Sequence, residues 1–251
     1  MTGCWRCSAV AESGESVEPT VRNGVCQFSR DGTRWLSTGP NGGTETADAA
    51  YNICVPEGWR ERDLQQYVGQ RLDEAGFEAP GPALLTGVDL GHTRVGTHGP
   101  VVVAATAGLS NPATLTASED VPAAPTTHDQ SEPAGTVNVI AWVDRALPES
   151  AQANLLTVVA EAKAATLLTE TGFPGTTTDA VVVGCNPAAE RVRYTGSGTE
   201  VGAAARACVR DAVRASVRSR YAETPVPASS ATADHGVVTD IEPTLREPNH
   251  E

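Results

Sequence analysis

The sequence predicts an α+β fold, a single domain in which a mixed, largely antiparallel sheet is covered by helices. Three observations predict it. Apolar valine- and alanine-rich runs come in neighbouring pairs, not in strict strand–helix alternation. Two long segments carry apolar residues at helical spacing. The chain has 251 residues and 40% hydrophobic content, enough for one substantial core. Aromatics are only 4%, so that core must be built mainly from Ala, Val and Leu.

Residues 1–20 are polar, acidic and Gly/Ser-containing, and read as a disordered tail. The folded domain is expected over 21–221. Val21–Ser29 and Thr33–Thr38 read as two strands joined by Arg30-Asp31-Gly32. The stretch RWLSTGPNGG follows, a polar turn whose Gly39, Gly42 and Gly43 open backbone angles closed to other residues. Thr44 then offers an N-cap for a helix over Glu45–Ile53. From spacing alone such a turn is first a tight strand-to-helix connection, and it also suits an anion or carbonyl cradle. A second helix is expected over Trp59–Ala75, where Leu64, Tyr67, Val68, Leu72 and Ala75 recur at helical spacing before Gly76.

Ala83–Asp89 and Val101–Thr106 read as strands, the second emptying into the polar turn AGLSNP. Residues 116–134 have no period and are rich in Pro, Thr and acid, the mark of a mobile insertion. Thr136–Val143 resumes as a strand. Pro148 opens a helix to about Thr171, with Leu155, Leu156, Val158, Val159 and Ala162 inward. Lys163 falls inside that stripe and Glu161 outside it. An inward ammonium needs a partner, or else its stem lies on apolar surface while its head reaches water. Thr178–Gly184 and Arg191–Tyr194 read as strands. The last helix, Thr199–Arg220, turns Val201, Ala205, Cys208, Val209 and Ala212 to one face. Arg206, Arg210, Arg214 and Arg218 form the opposite stripe, read as a solvated face paired with carboxylates. Residues 222–251 read as a disordered acidic tail.

The net charge of -13 argues against a nucleic-acid partner, which calls for clustered cations. Of 18 basic residues a single one, Lys163, is lysine. Many acids and almost no lysine suit a protein adapted to high salt, where screening relieves acidic repulsion; a GC-rich genome favours the same bias. No apolar run approaches the roughly 20 residues that span a bilayer. With no secretory pattern at the N-terminus, a cytoplasmic protein is expected. Cys4 and Cys7 form an isolated C-x-x-C, while Cys26, Cys54, Cys185 and Cys208 sit in apolar runs as small core residues.

RWLSTGPNGG, followed by DAAYN, LLTGVDL, AATAGLSNPA, GTVNVIAWVD, EAKAA, GTTTDAVVVGC and YTGSGTEVG, resembles the adenosylcobinamide amidohydrolase family. The likeness covers residues 20–221 without the insertion, in several blocks in one order. It implies hydrolysis of the amide between a corrin propionate and aminopropanol, giving adenosylcobyric acid and 1-aminopropan-2-ol in cobinamide salvage. It also implies a corrinoid small molecule as partner and no protein cofactor, cobalt entering only within the substrate. Two rivals are a corrinoid carrier without turnover and an amidase for another amide.

The resemblance transfers no catalytic residues, so the chemistry is argued from the chain. An amide needs water activation, an oxyanion donor and an acid for the leaving amine. The sequence holds no G-x-S-x-G and no H-E-x-x-H. Of five His, only His92 lies in a family block, which speaks against a multi-His zinc site. The catalytic candidates are Asp89 or Asp179 for water activation, Lys163 to orient a carboxylate or protonate the amine, and Ser110. Binding candidates are Ser37, Thr38, Gly39, Asn41, Gly42, Gly43, His92, Asn111, Asn138 and Thr178. Amides of the 39–43 turn, with Asn41, are expected to hold the oxyanion, and a broad pocket rimmed by Asn, Ser and Thr to receive the corrin.

Overall fold

A computed structural model describes residues 19–56, 59, 63–115, 135–241 and 243–248. The tail over 1–18, with Cys4 and Cys7, and the insertion 116–134, with His128, lie outside the described residues.

One sheet organises the chain. Its strands are β1 (Thr20–Arg22), β2 (Val25–Ser37), β3 (Gly43–Cys54), β4 (Ala83–Thr86), β5 (Arg94–His98), β6 (Val101–Ala107), β8 (Val137–Val143) and β10 (Ala180–Cys185). The order is β4-β3-β2-β10-β8-β6-β5, with β1 added on β2. Only β3–β4 and β8–β10 pair in parallel. A second sheet has the order β11-β7-β9, with β7 at Pro112–Leu115, β9 at Gly175–Thr176 and β11 at Val237–Thr239. Helices α1 (Leu64–Ala75), α2 (Glu149–Thr171) and α3 (Glu200–Arg220) complete the α+β fold.

The large sheet curls. Asn138 on β8 donates to Asn52 Oδ1 on β3 at 2.8 Å and to the Leu85 carbonyl on β4 at 2.9 Å, although β10 and β2 lie between these strands. The inside of the curl is filled by Phe28, Trp35, Ala50, Leu84, Ile140, Trp142 and Val182. On the outer side of β6, β8 and β10, α2 and α3 pack over Val103, Val139, Val183 and their neighbours. Helix α1 covers Ala49, Tyr51 and Ile53 of β3.

Several expected elements differ. The helix over Glu45–Ile53 is strand β3. Alanine is a strong helix former, but propensity yields to tertiary pairing: Ala49, Tyr51 and Ile53 alternate with Ala50 and Asn52 between two buried faces. β2 is one strand with a bulge between Ser29 and Thr33, not two, and its turn lies before it, at Asn23 and Gly24. Helix α1 starts at Leu64, where the Asp63 side chain accepts from Gln66 N. His98 ends edge strand β5. Arg191–Tyr194 makes only an isolated bridge, Ala146 with Arg191. Residues 222–241 also depart from a disordered tail, since β11 pairs with β7.

The long helices match their patterns. Leu155, Val158, Val159, Ala162 and Lys163 are buried on α2. On α3 the arginine stripe meets acids: Arg206 with Glu161, Arg210 with Asp211, and Arg214 and Arg218 with Glu170. Cys26, Cys185 and Cys208 are buried free thiols, and burial pushes the Cys26 thiol up to about 12.

Trp35 is fully buried and lies across Gly184 of the neighbouring strand, where a Cβ would overlap the indole ring. Gly184→Ala is therefore expected to cost about 1–3 kcal/mol through overpacking, read as a lower urea midpoint. An unchanged midpoint would show that the ring has room to move.

Candidate functional site

Five of the candidates, Ser110, Asn111, Asn138, Thr178 and Asp179, lie at one edge of the sheet, where β6 ends and β8 and β10 begin. Parallel pairing of β8 with β10 sets Asn138 beside Ala180, and antiparallel pairing with β6 sets it beside Thr106. Loops leaving these ends carry Ser110, Asn111, Thr178 and Asp179.

Asp179 anchors them. Its Oδ1 accepts from Val137 N at 2.9 Å and from the Thr176 hydroxyl, and its Oδ2 accepts from Thr176 N at 3.1 Å and from Lys163 Nζ. Four donors fill the acceptor sites of one carboxylate. The inward lysine thus has its partner, with side chains only 9% and 10% exposed. Gly175 is required here, because a Cβ would crowd Asp179 and approach Lys163.

Beside the anchor runs a ladder of hydroxyls and amides. Asn111 Nδ2 donates to Thr177 Oγ1 at 2.7 Å and to Thr178 Oγ1 at 3.3 Å. Thr178 shares a hydrogen bond with Thr136 at 2.9 Å and donates to the Gly135 carbonyl at 3.1 Å. Gly135 lacks space for a Cβ against Ser110 and Asn111, which ties their loop to β8. Deeper in the curl, Asn52 Nδ2 donates to Thr106 Oγ1 at 2.9 Å. Three buried atoms in this region have no partner among the described residues: Ser110 Oγ, Asn111 Oδ1 and Asn138 Oδ1. Leaving such groups unmet is costly, so each is a place for a water or a ligand group.

The glycine turn sits on the same edge. Thr38 N and Oγ1 donate to the Val181 carbonyl at 3.0 and 3.3 Å, and Val181 N donates back to Thr38 Oγ1 at 2.9 Å. Gly39 N is taken by Ser37 Oγ and Gly42 N by the Gly39 carbonyl. A side chain at position 39 would strike Leu84, and one at 42 the Ser37 carbonyl. Asn41 is exposed in a left-handed conformation with φ 54°, and Gly43, with φ 121°, starts β3. The turn is thus a tight strand-to-strand hairpin whose amides at 38, 39 and 42 are already engaged, which leaves it little free capacity as a cradle.

Asp89 and His92 flank the other side. Val88 packs on Gly108, two residues before Ser110. Asp89 is exposed and accepts from Gly91 N at 2.7 Å through Oδ1, while no described residue bonds its Oδ2. His92 Nδ1 lies 3.0 Å from Ser219 Oγ on α3, facing the helix. Among the described residues there is no group of three or more His, Cys, Asp or Glu placed to hold a metal.

Sequence reading missed Thr136, Thr177, Asn52 and Thr106. A signal was present for Asn52, a polar residue within the buried run AAYNIC. The expected pocket rimmed by Ser, Asn and Thr is not one of the two prominent open cavities. An open groove of about 390 Å³ lies between α2 and α3 beside Arg206, Arg210 and Arg214, and another of about 460 Å³ beside Cys54, Tyr67 and Arg71.

An α+β domain whose sheet edge gathers carboxylates, hydroxyls and unmet amide carbonyls offers hydrogen-bonding groups to a polar small molecule. The chain belongs to the adenosylcobinamide amidohydrolase family: the family model of that description matches residues 9–225. A curated relative from Halobacterium salinarum, "Adenosylcobinamide amidohydrolase", is 52% identical over 234 residues, 92% of this chain and 99% of the relative. A relative of the same name from Methanosarcina mazei is 29% identical over 178 residues, 66% of this chain and 81% of the relative. No solved structure matches the chain.

Lys163→Met would leave a buried carboxylate without its cation. The expected cost is about 3 kcal/mol, read from urea denaturation. A loss below about 0.5 kcal/mol, the range of ordinary surface substitutions, would show that the pair does not anchor this edge.

Proposed function

We propose that the chain hydrolyses the amide joining aminopropanol to a corrin propionate of adenosylcobinamide, releasing adenosylcobyric acid and 1-aminopropan-2-ol for cobinamide salvage. One observation carries this reading: the relative so named aligns along 99% of its own length at 52% identity. The polar edge supports it, because a corrinoid presents many side-chain amides. Their N–H groups match the unmet carbonyls of Asn111 and Asn138.

In the reaction, water adds to the amide carbon, the carbonyl oxygen gains charge, and the C–N bond breaks as the amine takes a proton. Asp89 is assigned as the base, since one of its oxygens is uncommitted among the described residues whereas both oxygens of Asp179 are saturated. The Ser110 hydroxyl, without a partner among the described residues, donates to the developing oxyanion. Asp179 and Lys163 hold the loops in place, and Thr178 and Asn111 line the approach.

No described helix is long and apolar enough to cross a membrane. We further propose a cytoplasm of high ionic strength as the setting, supported by the net charge of -13 and the Halobacterium relative. Screening at molar salt shortens the reach of acidic repulsion to about 3 Å. The melting temperature is expected to rise between about 0.1 and 2 M KCl, on either side of that screening length; a fall over that range would contradict the assignment.

Incubation of the purified protein with adenosylcobinamide, followed by mass spectrometry, should detect free 1-aminopropan-2-ol and the corrinoid acid. Ser110→Ala should lower turnover about 10²-fold, the cost of one oxyanion donor, with melting unchanged. Binding of the corrinoid without release of the amine would make the chain a carrier; release from simple amides but not from cobinamide would make it a different amidase.

A further inference from the structure

The loop that carries Ser110 is held by the C-terminal part of the chain. Leu109 N donates to Tyr221 Oη at 2.7 Å, just past the end of α3. The Ser110 carbonyl accepts from His235 N at 3.0 Å. Beyond the loop, Ala113–Leu115 pairs in parallel with Val237–Thr239. The Thr114 and Ser230 hydroxyls lie 2.9 Å apart, and both Ser230 and Val238 are buried. Gly236 turns so close to the Ser230 carbonyl that a Cβ would overlap it.

The other neighbour of β7 is β9, whose Thr176 binds Asp179 through its amide and hydroxyl. The strand that follows Ser110 and Asn111 is therefore clamped between the Asp179 anchor and the C-terminal segment. Ser110 Oγ has no partner among the described residues, so its position is set by the main chain. Most of the segment that sets it lies beyond residue 225, where the family match ends.

We infer that Tyr221 and residues 230–239 are positioning elements of the catalytic edge, fixing the Leu109–Asn111 main chain so that the Ser110 hydroxyl meets the oxyanion. The inference rests on the hydrolysis proposed above. Displacing a catalytic group by about 1 Å costs up to about 10²-fold in rate, while binding by the remaining contacts persists.

The test uses full-length Tyr221→Phe and Gly236→Ala. The first removes the acceptor of Leu109 N; the second bars the turn that seats the segment. Each is expected to lower kcat about tenfold or more, within the range of such displacements, with KM little changed. Amide hydrogen exchange should quicken at Leu109 in the first and at His235 in the second. Gly184→Ala, destabilised elsewhere, should keep its kcat well below its melting temperature, separating positioning from general loss of stability. Normal kcat in both variants despite faster exchange would overturn the inference, as would unchanged exchange. A wild-type chain that releases no aminopropanol would refute the hydrolysis reading and the positioning role together. The exchange measurement would then still decide whether the segment grips the Ser110 loop.

Discussion

The pairing of Lys163 with Asp179 is the constraint on which the site depends. It joins a buried helix position to the loop before β10, and the same carboxylate takes the amides of Val137 and Thr176. One side chain thereby fixes the starts of two parallel strands and the small sheet beside them. Burying two charges is costly unless every lone pair is met. Here all four are met, so the cost is offset by order imposed on three segments far apart in sequence.

Curling of the large sheet supplies the second condition. Asn138 reaches Asn52 and Leu85 only because β3 and β4 fold back over β8. Glycine at 184 lets Trp35 lie flat against its neighbour strand, and the interior fills with few aromatic residues. Helices cover the outer faces, so the sheet edge is where loops from β4, β6, β8 and β10 gather. Hydroxyl and amide groups accumulate there because helices α1, α2 and α3 occupy the faces.

Much of this was legible in the chain. The two long helices follow from apolar spacing, the first also from Pro148, and Lys163 was placed inward by its position in the α2 stripe. The valine-rich strands β6, β8 and β10 were readable as runs buried on both faces. Glu45–Ile53 was misread because alanine carries little strand signal, and pairing with β2 decided its state. Ser110, Asn111, Thr178 and Asp179 could be named as loop-borne polar residues, and they do meet. Their linkage through Gly135 and Thr136 was not readable, since it depends on strand order. Nor was the role of the segment after Tyr221, whose polar, Pro-containing sequence hides a strand that exists only by pairing with β7.

The central claim is that the corrinoid side arm is worked on at this edge. Hydrogen-exchange mass spectrometry of the protein with and without a saturating corrinoid tests it most directly. The account predicts protection of peptides spanning 87–92, 108–111, 135–138 and 176–180. Protection confined to the groove between α2 and α3, at Arg206, Arg210 and Arg214, would contradict it.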